Sequence, residues 1–183
     1  DIMIENMNMK KDIFKIKEIL NVSPQETAIA PNLTVKENLE FMAGVYQIKD
    51  KDSKINELIK EFKLGEVLTK RAKTLSGGWQ RKVSIAISLI NDPKILFLDE
   101  PTLGLDVIAR KELWKVIEGL KGKITIILTT HYMEEAESLS DRIGVMANGS
   151  LVDIGTSKEL NKKTKTKNFE DFPMAKLHKE IYI

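Results

Sequence analysis

The sequence predicts an α/β fold in which a parallel sheet forms the core and a helical segment is inserted into it. Residues 34–90 hold three helical patterns in succession, with no strand pattern between them. From residue 94 onward, apolar strand patterns alternate with helical ones, which is typical of a parallel sheet with right-handed crossovers. The 183 residues, 42% of them hydrophobic, are enough to bury one sizeable core.

The first 33 residues contain one short helix and one strand. Apolar residues recur at helical spacing within 12–20, and Asn21-Val22-Ser23 then indicates the end of a strand. Pro24 and Pro31 disfavour regular structure between them, so we expect a loop over 24–33.

The helical segment begins at Thr34. Thr34 and Glu37 have the spacing of a capping box, which predicts a helix through Tyr46. A second helix is indicated by four apolar residues at i, i+3, i+4 and i+7, namely Ile55, Leu58, Ile59 and Phe62. We expect Gly65 to end it, because glycine readily takes the left-handed conformation that closes a helix. A third helical pattern covers about 76–90.

Three strand patterns follow the helical segment. The run 95–98 is continuously apolar, so we expect a strand buried on both faces. Helical patterns over 113–120 and 133–139 flank a second apolar strand over 124–128, and 143–146 is expected to be a third strand of the same sheet. Asn148-Gly149 predicts a type I′ hairpin turn before 151–154.

Composition excludes several classes of function. The chain carries 29 basic against 27 acidic residues, and this near balance argues against nucleic acid as the main partner. It has no cysteine and two histidines, which excludes disulfides, thiolate chemistry and a metal cage of several histidines. Uncharged stretches reach about ten residues, short of the ~18 that a spanning helix needs. Four lysines within 162–167 form a basic tail, either a solvated linker or a contact for acidic lipid or a partner.

Two adjacent carboxylates, Asp99 and Glu100, follow the apolar run at 95–98. Ligands of α/β proteins bind at the carboxyl ends of parallel strands. Adjacent side chains at a strand end point in different directions, so one carboxylate can hold Mg²⁺ while the other faces an attacking water. The structural alternative is that Asp99 merely caps a helix.

Two other motifs suit a phosphate ligand. Leu75-Ser76-Gly77-Gly78-Trp79-Gln80 precedes an apolar helix, where glycines allow close approach and free N–H groups favour an anion. An ordinary serine-capped helix is the alternative for this motif. His131 directly follows a predicted strand, whereas Gln25 in its proline-flanked loop is unremarkable alone.

The order and spacing of these elements resemble the nucleotide-binding domain of an ABC ATPase, a fold of the P-loop NTPase class. In chain order, the elements are Gln25 after a strand, the LSGGxQ-like run at 75–80, Leu98-Asp99-Glu100-Pro101-Thr102, Gly104-Leu105-Asp106, and His131. The resemblance covers about residues 19–160, and LSGGxQ is among the more specific short motifs. Residues 33–39 and 131–137 look most like the ATPases that power ABC-2-type exporters.

The resemblance implies ATP and Mg²⁺ as ligands and a role for each matched residue. Gln25 and Asp99 would hold Mg²⁺, Glu100 would act as general base on the attacking water, and His131 would contact the γ-phosphate. Gln25 would also sense the membrane partner.

The remaining matched residues imply an assembly. Asp106 resembles an aspartate at the family's dimer interface. Ser76, Gly77 and Gly78, with Gln80 nearby, would grip the ATP bound to a second subunit. The implied assembly is a head-to-tail dimer, most simply a homodimer, which couples ATP hydrolysis to solute export through a membrane-spanning permease. The implied location is peripheral, on the cytoplasmic face of the cell membrane.

One motif of the family is absent. The phosphate cradle G-x-x-x-x-G-K-[ST] has no match, because the only Gly-Lys pair, Gly122-Lys123, is followed by Ile124. In the family this loop lies further upstream than the 24 residues that precede Gln25. We therefore expect the chain to begin inside the domain, with an incomplete core and no hydrolysis on its own. The family's P-loop strand lies beside the strand predicted at 124–129, so we expect that strand to have an open edge.

This interpretation divides the chain into four parts. The first is a core remnant (1–33) that ends in the loop of Gln25, called the Q-loop. The second is an α-helical subdomain (34–92) that carries the LSGGxQ-like run at 75–80, called the signature. The third is the core with both carboxylates and the histidine (93–160), and the fourth is the basic tail (161–183). Two alternatives stay open, a non-enzymatic remnant that acts through protein contacts and an ABC ATPase that moves no solute. Only 51 residues separate Gln25 from Ser76, too few for the long coiled coil of repair-type members.

Overall fold

The computed structural model describes residues 1–164, so most of the tail predicted at 161–183 lies outside the described residues. The helices are α1 (Ile13–Ile19), α2 (Val35–Val45), α3 (Lys51–Glu61), α4 (Gly77–Ser88), α5 (Val107–Leu120), α6 (Met133–Leu139) and α7 (Ser157–Thr164). The strands are β1 (Met3–Ile4), β2 (Met7–Asn8), β3 (Leu20–Ser23), β4 (Ile95–Asp99), β5 (Thr125–Thr129), β6 (Ile143–Ala147) and β7 (Ser150–Gly155). None of the described helices has the length and apolar character needed to span a membrane.

A small hairpin precedes the first helix. β1 and β2 pair antiparallel through a turn at Glu5 and Asn6, whose φ angles are 50° and 62°. Two-residue strands are too short for a periodic pattern, so sequence reasoning missed this hairpin. The short helix and strand expected over 12–23 are confirmed as α1 and β3.

The helical segment follows its sequence patterns. The predicted capping box opens α2, because the Thr34 hydroxyl accepts a hydrogen bond from the Glu37 amide at 3.2 Å and the Glu37 carboxylate accepts one from the Thr34 amide at 2.7 Å. The expected stop at Gly65 is wrong. Phe62 caps α3, and Lys63 takes the left-handed conformation at φ 55°.

Helix α4 joins the helical segment to the sheet. Every residue from 81 to 90 is buried, including the charged side chains of Arg81 and Lys82. Apolar side chains of α2, α3, α4, α5 and the strands form one core around it. The most completely buried members of the helical segment include Leu39, Leu58, Phe62, Val83 and Ile85.

Strands β3, β4 and β5 form the predicted parallel sheet, in the order β3-β4-β5. In its register Ser23, Leu98 and Leu128 are neighbours, and Asp99 pairs with Thr129. Because the strands are parallel, their carboxyl ends meet at one edge of the sheet. Residues 24–25, 99–100 and 130–131 therefore lie at this edge.

The expectation that β4 is buried on both faces is wrong. Leu96 and Leu98 are at most 1% exposed and belong to the main core, whereas Phe97 on the other face is only half-buried. Its register neighbours Val22 and Ile127 are 47% and 37% exposed. The described helices cover the Leu96 face of the sheet and leave the Phe97 face partly open.

Strand β6 does not join the parallel sheet, contrary to the expectation for 143–146. It pairs with β7 in an antiparallel hairpin that has a small core of its own, made of Ala136, Ile143, Val145, Ala147 and Leu160. The type I′ turn is confirmed, since Asn148 and Gly149 both have positive φ, 51° and 73°. β5 therefore pairs with β4 on one side and with no described strand on the other, where a cavity of about 360 Å³ lies.

Candidate active site

Asp99, Glu100 and His131 meet at the carboxyl ends of β4 and β5. The Glu100 carboxylate lies 2.8 and 2.9 Å from Nδ1 of His131. The side chains of Glu100 and His131 are 20% and 45% exposed, so the pair is accessible to a ligand from solvent. A carboxylate oxygen accepts hydrogen bonds, so this contact is a hydrogen bond when Nδ1 carries the ring proton.

Asp99 does not cap a helix. It is the last residue of β4, and its Oδ1 accepts a hydrogen bond from the Thr129 hydroxyl at 2.6 Å. The next helix, α5, is capped instead by Asp106, whose Oδ1 accepts hydrogen bonds from the amides of Ile108 at 2.9 Å and Ala109 at 3.0 Å. Asp99 is thus free of any capping role.

Gln25 lies in the loop after β3, at the same edge of the sheet. Its side chain is exposed, and its backbone carbonyl accepts a hydrogen bond from Nη1 of Arg81 at 3.3 Å. Nη2 of the same guanidinium bonds the carbonyl of Asp99 at 2.5 Å. One planar group therefore reaches the backbones of Gln25 and Asp99 together.

Arg81 is a buried cation that sequence reasoning missed. It is 4% exposed, and burial lowers the pKa of its guanidinium, an effect opposed by the carboxylates of Asp99, Glu135 and Glu100. Its four hydrogen bonds go to the carbonyls of Pro101, Asp99, Gln25 and Pro24. The available signal was an arginine within the helical pattern expected over 76–90.

The signature residues lie at the exposed start of α4. Ser76 is the N-cap residue but its side chain makes no capping hydrogen bond, which weakens the serine-cap alternative. Close packing explains Gly78, because an added Cβ would lie 3.0 Å from Cβ of Ala109 at the start of α5. A Cβ on Gly77 would lie 3.6 Å from the Leu105 side chain.

The signature run and the carboxylates are separate within one chain. In the described part of the chain, no hydrogen bond or ion pair joins Ser76, Gly77 or Gly78 to Asp99, Glu100 or His131. Gln80 points toward its own loop, where its Nε2 donates to the carbonyls of Ala72 at 3.1 Å and Leu75 at 3.2 Å. Gln80 thereby shapes the loop ahead of α4.

A second buried contact joins the helices that follow these motifs. Trp114 of α5 donates from Nε1 to Oε1 of Glu135 in α6 at 3.0 Å, and the Glu135 side chain is fully buried. Arg110 lies over the ring of Tyr132, 4.4 Å from its centroid. Sequence reasoning missed these pairs, because residues distant in sequence become neighbours only in the folded structure.

The residues at this edge fit a Mg²⁺ ion. Asp99 and Gln25 offer a carboxylate and an amide oxygen, the donors that Mg²⁺ prefers, and Arg81 bonds the backbones of both. Among residues 1–164, no group of three or more acidic, histidine or cysteine side chains forms a metal cage.

The Gly122-Lys123 pair is not a phosphate cradle. It precedes β5 and therefore lies at the opposite end of that strand from His131. The Lys123 ammonium pairs with Glu61 at 2.8 Å. The structure thus places this pair away from the candidate site.

Known proteins are similar to this chain in sequence and in fold. The sequence profile of the ABC transporter family matches residues 1–103. ABC transporter A family member 12 of Arabidopsis thaliana is 42% identical over 165 residues, and member 2 is 43% identical over 150 residues. These alignments cover 88% and 81% of this chain but 18% and 15% of the relatives, so the chain spans less than a fifth of their length.

A solved structure shares the fold. The structure of an ATP-binding subunit of an ABC transporter matches with a TM-score of 0.77, covering 93% of this chain and 73% of its own. At 23% identity this match shows the fold alone, an α/β fold of the P-loop NTPase class.

Proposed function

The chain belongs to the ABC transporter family, and from this we propose that it is part of an ATP-hydrolysing subunit that drives solute export through a membrane-spanning permease. The observation that carries the proposal is the Asp99-Glu100 pair at the end of a central strand, with His131 hydrogen-bonded to Glu100. This arrangement supplies a metal ligand, a base and a phosphate contact at one sheet edge.

In this proposal Asp99 and Gln25 hold Mg²⁺, which neutralises charge on the ATP phosphates when it is bound. Glu100 orients the attacking water and accepts its proton. His131 contacts Glu100 through Nδ1, and Nε2 on the other side of the ring would donate an N–H to the γ-phosphate, whose oxygens only accept hydrogen bonds. The partial exposure of both side chains leaves room for the substrate.

The signature residues act on ATP held by a second subunit. Among the described residues, no hydrogen bond or ion pair joins Ser76, Gly77 or Gly78 to Asp99 or Glu100, and the first turn of α4 is not capped by the Ser76 side chain. The N-terminus of this 12-residue helix attracts an anion such as a γ-phosphate. Exposed Val107 and Ile108, 63% and 73% accessible beside Asp106, provide apolar surface for the subunit contact.

The working division of the chain stays the one that sequence predicts, at 1–33, 34–92, 93–160 and 161–183. The proposed dimer binds a permease and lies on the cytoplasmic face of the membrane. The plant relatives support a permease partner at a membrane, since each is described as an ABC transporter.

The test uses a protein that we call the P-loop version. It consists of residues 1–183 preceded by an ABC-type strand, the loop G-x-x-x-x-G-K-[ST] and its helix. We expect Glu100→Gln to abolish steady-state hydrolysis, because the base is lost, while ATP binding remains, because Asp99 is unchanged. ATP turnover, ATP binding by calorimetry and ATP-dependent dimerisation by size-exclusion chromatography are the measurements.

Glu134→Gln is the matched control, since Glu134 is an exposed carboxylate of α6 outside the site. It should leave turnover unchanged. The proposal fails if Glu100→Gln turns over ATP like the parent. A parent that binds no ATP at all would favour the non-enzymatic alternative.

A further inference from the structure

The Thr129 hydroxyl bridges the two carboxylate residues. Thr129 is the last residue of β5, half-buried, and pairs in register with Asp99. Its Oγ1 donates to Oδ1 of Asp99 at 2.6 Å and accepts a hydrogen bond from the Glu100 amide at 3.2 Å. A hydroxyl has one proton to donate and lone pairs to accept, so both bonds form at once.

Glu100 needs such support because its backbone is strained. Its φ angle is 45°, in the left-handed region that non-glycine residues seldom occupy. Such a conformation is energetically unfavourable for a residue with a Cβ atom and persists only when the surroundings impose it. The Glu100 amide bonds both the carbonyl of Thr129, at 3.1 Å, and its hydroxyl. Both hydrogen bonds of the Glu100 amide thus go to one residue of the neighbouring strand.

We propose that Thr129 is a positioning residue for ATP hydrolysis. Its hydroxyl fixes the orientation of the Asp99 carboxylate and the turn that aims Glu100 at His131. In this proposal the hydroxyl acts through Asp99 and Glu100, the two residues that it contacts. The inference rests on the proposed function and deepens it, since it names the residue that fixes the positions of the metal ligand and the base.

The chain offers matched variants for the test. Thr129→Val keeps the shape of the side chain and removes the hydroxyl, whereas Thr129→Ser keeps the hydroxyl. Thr125→Val makes the same change four residues earlier, on the same face of the same strand, at an exposed position remote from the site. All three are made in the P-loop version.

We expect Thr129→Val to lower kcat by about tenfold to a hundredfold, the cost of misplacing catalytic groups by about an ångström. Mn²⁺ binding in the presence of a non-hydrolysable ATP analogue, followed by electron paramagnetic resonance, should weaken about tenfold or more, as for other groups that orient a metal ligand. Metal-free ATP binding should not change. Thr129→Ser should recover most of both losses, and Thr125→Val should match the parent.

Two results would overturn the inference while leaving the proposed function intact. One is parental turnover and Mn²⁺ affinity in Thr129→Val. The other is equal loss in the valine and serine variants, because the hydroxyl would then not be responsible. A parent protein that neither binds Mn²⁺ with ATP nor hydrolyses ATP would overturn the proposed function, and this inference with it.

Discussion

The helical segment and the parallel sheet are packed to different degrees. In α2 and α3 the side chains of Leu39 and Leu58 are at most 1% exposed, and so is Phe62 at the end of α3. On the open face of the sheet, Val22 and Ile127 remain 47% and 37% exposed. β5 also has an edge that no described strand covers. Exposed apolar side chains also occur on α2, at Phe41 and Val45, so within residues 1–164 the clearest difference is the edge of β5 that no described strand covers.

The difference follows from how each structure satisfies its backbone. A helix forms its hydrogen bonds internally, so a cluster of helices needs only local contacts. A parallel strand needs neighbours on both sides and layers on both faces. Stability should therefore be uneven, with the outer edge of β5 opening more readily than α4. The candidate site lies at the boundary, since its carboxylates belong to the sheet and Arg81 belongs to α4.

The largest expected effect concerns the 183-residue chain without an added P-loop. Because it lacks the loop that grips the β- and γ-phosphates, it should show no ATPase activity and bind MgATP no tighter than about 1 mM. The Thr125 amide donates a hydrogen bond to the Lys94 carbonyl, on the side of β5 that faces β4. Successive backbone amides of a strand point to opposite sides, so the amides of Ile126 and Leu128 point to the open edge. In hydrogen exchange these amides should exchange quickly, whereas those of α4 should be protected.

The P-loop version is the comparison for this experiment, and in it the amides of Ile126 and Leu128 should become protected. Micromolar ATP binding by the 183-residue chain, together with slow exchange at both amides, would show that the sheet is complete without an added strand. The contrast between the two regions would then be wrong.

Arg81→Met should produce the next largest effect, because Arg81 links the two regions. The change removes hydrogen bonds to four carbonyls and leaves one buried and three partly buried acceptors without this donor. We expect the free energy of unfolding of the P-loop version to fall by about 3 kcal/mol. Denaturant unfolding followed by circular dichroism measures this loss.

Lys82→Met provides the control for Arg81. Lys82 is the next residue of α4 and is also buried, but its ammonium pairs with the half-exposed Glu112 at 2.7 Å. Its loss should cost about 1 kcal/mol, as expected for pairs near the surface. Equal losses in the two variants would mean that the Arg81 hydrogen bonds add nothing specific to the link between helical segment and sheet.

Local patterns made much of the fold predictable. The capping box at Thr34 and the turn at Asn148-Gly149 depend on neighbouring residues alone, and both are confirmed. Burial of β4 on both faces and a place for β6 in the parallel sheet were wrong. Those expectations depend on which elements cover a strand, which a run of apolar residues does not reveal.

For the candidate site, sequence spacing found the residues at the ends of strands but not those that hold them. Asp99, Glu100 and His131 follow apolar runs, and parallel topology then brings them together. Arg81 and Thr129 act through contacts with residues 18 to 57 positions away, which exist only after folding. The assigned roles of the site residues remain proposals that the variants above test.

The smallest expected effect concerns an ion pair between α3 and the turn before β4. Lys54 is 8% exposed, and its ammonium donates to Asp92 at 2.5 Å and Glu57 at 3.0 Å. Burial alone would lower the pKa of Lys54, but the hydrogen bonds to Asp92 and Glu57 raise it above its ordinary value of 10.5. A raised pKa in the folded state means that the charged lysine stabilises the fold.

Lys54→Met in the P-loop version should therefore lower the free energy of unfolding at pH 7 by about 1 kcal/mol, since both acceptors are exposed and screened. The contribution is fully present below the ordinary pKa and is lost as pH rises through the raised folded-state value. The difference in the free energy of unfolding between Lys54→Met and the parent should therefore become smaller above about pH 10.5. Lys60→Met, at an exposed position of the same helix, controls for the loss of one lysine. A difference that stays constant from pH 7 to pH 11 would show that the packing of the lysine stem, and not its charge, holds α3 to the turn before the sheet.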